Sequence, residues 1–122
     1  MTFENMIYNQ DCIAGMKEHI PDNTIDLIIT SPPYNVGIQY DTHNDRMPLD
    51  EYWLWCQEWL KECYRVLKPD GRLCLNHYLS CGTSEVRFSP LMRLNSISED
   101  IGFHHHGCAV WTDQTLTKRT AW

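Results

Sequence analysis

Apolar side chains recur along this chain in two patterns. Between residues 49 and 67 they return at every third or fourth position, which is the spacing of one face of an α-helix. The recurring positions are Tyr52, Trp53, Cys56, Trp59, Leu60, Cys63, Val66 and Leu67. Pro69 follows as a stop signal, so this pattern predicts a helix over 49–67. The segment from Thr24 to Thr30 instead contains a continuous apolar stretch, which predicts a central strand of a parallel sheet, buried on both faces.

Weaker patterns predict the remaining elements. Apolar residues at 13, 16 and 20 are spaced by three and four, and Asp11 before them can cap the resulting helix. Ser89-Pro90 is typical of the start of another helix, which is expected to end near Gly102. Further strands are expected at 6–8, 72–76 and 103–111, with a turn at 68–71. The alternation of strands and helices implies right-handed crossovers, and the predicted fold class is therefore α/β with a doubly wound, mostly parallel sheet.

The central strand runs directly into Ser31-Pro32-Pro33-Tyr34. Each proline lacks an N–H and has a locked φ angle, so the carbonyls of Ser31 and Pro32 are expected to point at a fixed place. Together with the Ser31 hydroxyl they form a cluster of acceptors, which suits an NH2 group. The Tyr34 ring can stack on a flat heterocycle, and such stacking contributes about 1–3 kcal/mol per base. The loop therefore predicts a site for a base with an exocyclic amine, at the carboxyl end of a strand, where open α/β sheets bind ligands.

The segment 25–34, Ile-Asp-Leu-Ile-Ile-Thr-Ser-Pro-Pro-Tyr, resembles the catalytic motif of the amino-methylating DNA methyltransferases. That motif consists of Asp, Asn or Ser followed by Pro-Pro and an aromatic residue. Segments 9–12 and 62–73 also fall where the family has similar segments, so the resemblance covers most of the chain. It implies that Ser31, Pro32, Pro33 and Tyr34 are catalytic. The Ser form is typical of enzymes that methylate the N4 amine of cytosine, and the Asp form of enzymes that methylate the N6 amine of adenine.

The resemblance also implies S-adenosylmethionine as cofactor and a Rossmann-like fold of the type that uses it. The cofactor residues would be Asp11, Cys12 and Thr30, with the aspartate near the adenine end. A plain helix cap is the alternative role for Asp11, and both roles can hold together. The chain has no GxGxxG or comparable glycine-rich turn for the methionine end. We therefore expect residues 1–122 to be the catalytic part of a methyltransferase domain, with an incomplete fold, lacking the cofactor glycine loop and the target-recognition segment, and inactive alone.

Several alternatives remain open from the sequence. The first is the adenine-N6 version of the same enzyme, and the second is a truncated, non-catalytic fragment that keeps the fold. The loop at 31–34 can also be read as no more than a strand ending. The tryptophans of the 49–67 helix could form a base-stacking surface, although packing of the helix on a sheet explains them more simply.

The partners that the resemblance implies are double-stranded DNA with a flipped target base and a cognate restriction endonuclease.

The charge distribution is unusual for a protein that contacts DNA. The net charge is −6, with 3 Lys/Arg against 11 Asp/Glu in residues 1–64 and 7 against 5 in residues 65–122. Because phosphate contacts need basic side chains, we expect much of the electrostatic attraction to DNA to come from parts outside these residues. The segment Thr117–Trp122 resembles the start of a DNA-facing segment. No apolar run approaches the ~20 residues of a membrane span, and a cytoplasmic location is the expectation.

The six cysteines are expected to be reduced, with Cys56, Cys63 and Cys74 buried. A zinc site is conceivable from residues in the second half of the chain. The candidate ligands are His77, Cys81, His104, His105, His106 and Cys108. No CxxC pair occurs, however, and consecutive histidines on a strand alternate between faces, so no metal is expected.

Overall fold

The computed structural model describes residues 3–82 and 85–112. The elements are α1 (Cys12–His19), β1 (Ile25–Thr30), α2 (Leu49–Val66), β2 (Leu67–Leu75), β3 (Cys81–Gly82), β4 (Arg87–Phe88) and α3 (Pro90–Ile101). The three predicted helices and the central strand are thus confirmed, with ends that differ by a residue or two. Segment 117–122, for which a DNA-facing role is expected, lies outside the described residues.

Local capping bonds explain where two of the helices begin. The Asp11 carboxylate accepts hydrogen bonds from the backbone N–H groups of Ile13 and Ala14, both at 3.0 Å, and the Ser89 hydroxyl accepts one from Met92 at 3.3 Å. These side chains satisfy N–H groups that have no partner inside the first helical turn. Asp11 is therefore a helix cap, as the sequence predicts.

Strands β1 and β2 form a parallel pair with an irregular register. Ile25 is opposite Leu67, whereas Leu27 is already opposite Arg72, so β2 carries extra residues across this step. The turn predicted at 68–71 is wrong, because the chain continues as strand β2 through these residues. Pro69 and Gly71 do interrupt the ladder, but they produce a bulge between two aligned strand segments. Lys68 binds Asp26 at 2.6 Å across the bulge.

The doubly wound sheet is not reproduced in the described residues. They contain the parallel pair β1–β2 and a short antiparallel hairpin, β3–β4, and this small α/β arrangement is compatible with part of a methyltransferase fold. The strands predicted at 6–8 and 103–111 are wrong, and Ile7 and Trp111 are 96% and 94% exposed. An apolar run becomes a strand only when a neighbouring strand shares its backbone hydrogen bonds, and no described strand pairs with either segment.

The core lies on one side of the parallel pair, between the sheet and the helices. Residues of α2 and α3 form its centre: Tyr52, Cys56, Trp59, Leu60, Cys63, Leu94 and Ile97. Ile28 and Leu73 of the sheet pack against this cluster, whereas Leu27 and Ile29 on the opposite face are 50% and 75% exposed. The prediction that β1 is buried on both faces is therefore wrong for this part of the chain, because all three helices pack on the same side.

All six cysteines are free thiols. Cys56 and Cys63 are buried, as predicted, and burial raises the pKa of each thiol to about 12. Cys74 is exposed, and its predicted burial is wrong. The reason is its register, because Cys74 lies opposite Ile29 on the open face of the sheet.

Arg65 connects the end of α2 to the end of α1. Its guanidinium donates hydrogen bonds to the carbonyls of Met16 and Ile20, at 2.9 and 3.0 Å, and forms ion pairs with Asp22 and Glu62. The Met16 carbonyl also accepts the backbone N–H of Ile20 at 3.0 Å, so the arginine adds a second donor there and binds the carbonyl of Ile20, which ends the helix. Arg65 thereby fixes α1, with its Asp11 cap, relative to α2.

Candidate active site

The loop Ser31–Tyr34 leaves the sheet at the carboxyl end of β1, as the sequence predicts. The Ser31 hydroxyl lies 2.5 Å from the Tyr34 hydroxyl, and the Asn76 side-chain amide donates to the same Tyr34 oxygen at 3.0 Å. Asn76 directly follows β2, and its backbone N–H binds the carbonyl of Thr30 at 2.9 Å. Three polar side chains from the ends of two adjacent strands therefore converge at one point.

Asn76 is a site residue that the sequence reasoning missed. The sequence pattern places it only at the end of a strand, although a useful signal is present. Parallel strands bring their carboxyl ends to one edge of a sheet, so a polar residue directly after β2 is expected close to the residues that follow β1.

The Tyr34 ring has two aromatic neighbours. The ring centroids of His77 and Tyr78 lie 4.4 and 4.7 Å from that of Tyr34, with tilted planes. Such offset contacts restrict the orientation of the ring. From the sequence, His77 is only a candidate zinc ligand. Within residues 3–82 and 85–112, no group of three His, Cys, Asp or Glu side chains is placed to hold a metal ion.

A cavity of about 550 Å³ opens on the Tyr34 side of the loop. Its aromatic lining consists of Tyr34, Tyr52, Trp53 and Phe88. Trp53 meets Phe88 edge to face, with centroids 6.1 Å apart. Trp59 is buried in the core, as packing of α2 on the sheet predicts, whereas Trp53 packs at the edge of the core and also lines this cavity. The volume and aromatic walls suit a flat heterocyclic ring.

A second cavity, of about 340 Å³, lies on the Ser31 side of the loop. It is lined by Cys12 and Met16 of α1, by Thr30 and Ser31–Pro33, and by apolar residues of β1 and α2. The predicted catalytic and cofactor residues are therefore brought together, with Tyr34 on one cavity and Cys12, Thr30 and Ser31–Pro33 on the other. Asp11 lines neither cavity and stands exposed at the start of α1.

The second cavity fits part of S-adenosylmethionine. None of its lining residues carries a charged side chain, and burial, followed by the neighbouring Asp11 charge, raises the pKa of the Cys12 thiol. An apolar, uncharged lining suits the adenine ring, whereas the amino and carboxylate groups of the methionine end need polar partners that this lining does not supply. The residues present thus fit the adenine ring of the cofactor.

Asp45 organises the segment that follows Tyr34, and the sequence reasoning gave it no role. The residue is 3% exposed, and its carboxylate accepts backbone N–H bonds from Asn35, Val36 and Ile38 at 2.9, 3.1 and 2.8 Å. The Asn35 side chain also exchanges two hydrogen bonds with the backbone of Met47. Burial alone would raise the pKa of Asp45, but the backbone N–H bonds outweigh it, and the pKa is lowered.

Asp45→Asn is expected to weaken the hydrogen bonds that order residues 35–38. An amide keeps one acceptor oxygen, turns an NH2 group toward backbone donors and loses the charge. Because hydrogen bonds to charged groups contribute about 1.5–3 kcal/mol, the free energy of opening the loop should fall by about that amount. Amide hydrogen exchange at Asn35, Val36 and Ile38 measures it. Asp41→Asn, at an exposed position in the same loop, is the matched control.

The same carboxylate predicts an acid-dependent loss of order. A carboxylate whose folded pKa is lowered stabilises the fold above its unfolded pKa, here 3.8, and this contribution disappears as the pH falls through the folded value. Protection of the Asn35, Val36 and Ile38 amides from hydrogen exchange should decline as the pH falls below 3.8 in the natural protein. In Asp45→Asn it should remain constant over the same pH range. Equal protection of both proteins at pH 7 would contradict this role.

Comparison with known proteins identifies the class to which this arrangement belongs. The family model described as DNA methylase, for N6- and N4-methyltransferases, matches residues 25–120. The chain therefore belongs to this family, and the resemblance seen in the sequence is confirmed. The family transfers methyl groups to DNA, which implies S-adenosylmethionine as methyl donor.

Particular relatives are named as Type II methyltransferases. The chain is 42% identical to M.MjaVI of Methanocaldococcus jannaschii over 84% of its own length and 53% of the relative. It is 38% identical to M.BglII of Bacillus subtilis and 35% identical to M.HpaI of Haemophilus parainfluenzae, over 88% and 83% of this chain and 29% of each relative. The chain thus spans about half or less of the length of the curated relatives it matches.

No helix within the described residues combines the length and apolar character needed to cross a membrane.

Proposed function

We propose that the protein containing this chain moves a methyl group from S-adenosylmethionine to the N4 amine of cytosine in double-stranded DNA. The observation that carries the proposal is the position of the Ser31–Tyr34 loop, with the Ser31 hydroxyl 2.5 Å from that of Tyr34, between an aromatic cavity and an apolar one. The two cavities offer separate places for a base and for a cofactor.

The chemistry follows from the groups that the loop presents. A base flipped out of the duplex stacks on Tyr34 and directs its amine to the Ser31 hydroxyl and the Pro32 carbonyl. The lone pair of such an amine is delocalised into the ring, and hydrogen bonds that draw its protons out of plane make it more nucleophilic. When bound, S-adenosylmethionine supplies a methyl group on a sulfonium centre. Positioning and preorganised polar groups do most of the work, and the surplus proton leaves the amine without a strong base.

Cofactor contacts are assigned to the start of α1 and to the end of β1. Cys12 and Thr30 line the apolar cavity beside Ser31, where they would contact the adenine ring. Asp11 already binds Ile13 and Ala14 through one carboxylate oxygen, Oδ1, so its second oxygen is suited to a hydroxyl group of the cofactor. The remaining contacts come from parts of the protein outside these residues.

Cytosine is preferred to adenine because the motif carries Ser31, the form that the resemblance ties to N4 methylation. The adenine-N6 reaction would use the same groups in the same way. We further propose that the enzyme works in the cytoplasm beside a cognate restriction endonuclease, and that residues 1–122 form the catalytic part of its methyltransferase domain.

The experiment is methyl transfer from labelled S-adenosylmethionine to DNA, followed by identification of the modified base by mass. It compares the 122-residue chain with any longer product of the same reading frame. We expect N4-methylcytosine, formed by the longer product. N6-methyladenine would keep the mechanism and change the substrate. No transfer by either protein, with folding verified by circular dichroism, would reject the assignment as an enzyme.

A further inference from the structure

A buried tyrosine of α2 holds the backbone of the catalytic loop. Tyr52 is 1% exposed, and its hydroxyl donates to the carbonyl oxygen of Pro33 at 2.7 Å. This carbonyl belongs to the peptide that leads into Tyr34. Burial raises the pKa of Tyr52 above its ordinary value, so the hydroxyl keeps its proton at neutral pH and remains a donor. The position of Tyr34 thus depends on a hydrogen bond from the neighbouring helix.

His77 completes this arrangement in a single tautomer. Its Nδ1 accepts the backbone N–H of Tyr78 at 2.8 Å, so in the neutral ring the proton must be on Nε2. Nε2 lies 2.8 Å from the Tyr52 hydroxyl oxygen and donates to it. Burial lowers the pKa of His77 to about 4, which keeps the ring neutral at pH 7. The hydrogen bonds therefore run in one direction, from His77 to Tyr52 to Pro33.

The same histidine also touches the catalytic ring. Its ring centroid is 4.4 Å from that of Tyr34, with the planes inclined by 44°. His77 is therefore in contact with Tyr34 directly and with the Pro33 carbonyl through Tyr52. Two consecutive residues of the loop are fixed by one pair of side chains, the buried Tyr52 of α2 and the half-buried His77 of the segment after β2.

We propose that Tyr52 and His77 are positioning residues for methyl transfer, holding the Pro33 carbonyl and the Tyr34 ring where the target base stacks. This inference rests on the proposed function, because it assigns the pair a role in that reaction. Neither side chain exchanges protons with the substrate. Their effect is geometric, and a misplacement of about 1 Å can lower a rate about 100-fold.

Tyr52→Phe is the first test, carried out in the form of the enzyme that transfers methyl groups. It keeps the buried ring and removes only the hydroxyl. We expect kcat to fall between about 10-fold and 100-fold, with a smaller change in KM for S-adenosylmethionine, because Tyr52 lines the cavity on the Tyr34 side and reaches the cofactor cavity only through Pro33. Tyr64→Phe, the same change at an exposed position of α2, is the matched control and should leave kcat unchanged. Equal kcat values for the two variants would overturn the inference.

His77 allows a test by partial rescue. Glutamine can present an amide donor toward Tyr52, whereas phenylalanine preserves ring packing and has no donor. We therefore expect His77→Gln to retain more activity than His77→Phe at the same temperature and with both proteins folded. A purely structural role of the ring predicts the reverse order, and that order would overturn the inference.

A spectroscopic measurement on the 122-residue chain separates this inference from the proposed function. Nitrogen-15 NMR distinguishes the protonated and unprotonated ring nitrogens of His77. We expect the proton on Nε2 at pH 7, and a weaker preference for this tautomer in Tyr52→Phe. A proton on Nδ1 would overturn the inference while leaving the proposed function intact. Absence of methyl transfer by the unaltered enzyme would reject the proposed function and this inference with it.

Discussion

Replacing Ser31 with alanine is expected to lower the rate of methyl transfer about 100-fold to 1,000-fold, the loss typical of removing one preorganised polar group from an active site. The physical reason is that the Ser31 hydroxyl stands at the carboxyl end of β1, beside the Tyr34 hydroxyl, where it can accept a hydrogen bond from the target amine. Without it the amine lone pair stays delocalised in the base. The measurement is initial rate with labelled S-adenosylmethionine at saturating DNA.

Controls for this variant separate chemistry from folding. Ser96→Ala, at an exposed position on α3, should leave the rate unchanged. Tyr34→Ala is expected to give a loss of similar size by a different route, because it removes the ring on which the base stacks. Ser31→Ala should unfold at the same denaturant concentration as the unaltered protein, whereas Tyr34→Ala, which also loses the ring contacts with His77 and Tyr78, should remain folded with a somewhat lower stability. A rate within about twofold of the unaltered enzyme for Ser31→Ala would contradict the catalytic assignment of the loop.

Replacing Leu60 with alanine is expected to destabilise the fold by about 2–5 kcal/mol. Leu60 is fully buried at the centre of the core formed by α2 and α3, beside Trp59 and Leu94. Truncation removes apolar contacts and leaves a cavity that the surrounding helices can only partly fill. The measurement is urea unfolding followed by circular dichroism, which reports the change in the free energy of unfolding.

Leu54 provides the matched control, because it lies on the same helix and is 63% exposed. Leu54→Ala should change the free energy of unfolding by less than about 0.5 kcal/mol, as is usual for surface substitutions. A destabilisation below about 1 kcal/mol for Leu60→Ala would mean that the α2–α3 contact is not the core of this chain.

The loop Ser31–Tyr34 is the part of the candidate site that could be predicted most fully from the sequence. Its two prolines restrict the backbone whatever surrounds them, and the apolar residues of the strand before it predict that strand. Asn76, His77 and Asp45 could not be assigned in the same way. Each acts through a partner that is distant in sequence, since Asn76 binds Tyr34, His77 binds Tyr52, and Asp45 binds the backbone at 35–38.

Predictions about burial failed where they required knowledge of a neighbour. The apolar stretch in β1 correctly predicted a strand, but not that Leu27 and Ile29 would remain exposed. The apolar segments at 6–8 and 103–111 likewise show side chains that favour burial, without showing which surface covers them. A hydrophobic pattern reports a tendency of one segment, whereas burial is a property of two surfaces in contact.

The amino-acid sequence by itself determined the elements whose causes are local. The periodicity of α2, the caps at Asp11 and Ser89, and the proline-rich exit from β1 all depend on residues within one or two turns of each other. Only the tertiary structure decided the bulge in β2, the single covered face of the sheet and the chain of hydrogen bonds from His77 through Tyr52 to Pro33. These features arise between segments many residues apart, and their geometry exists only after the helices have packed on one side of the sheet.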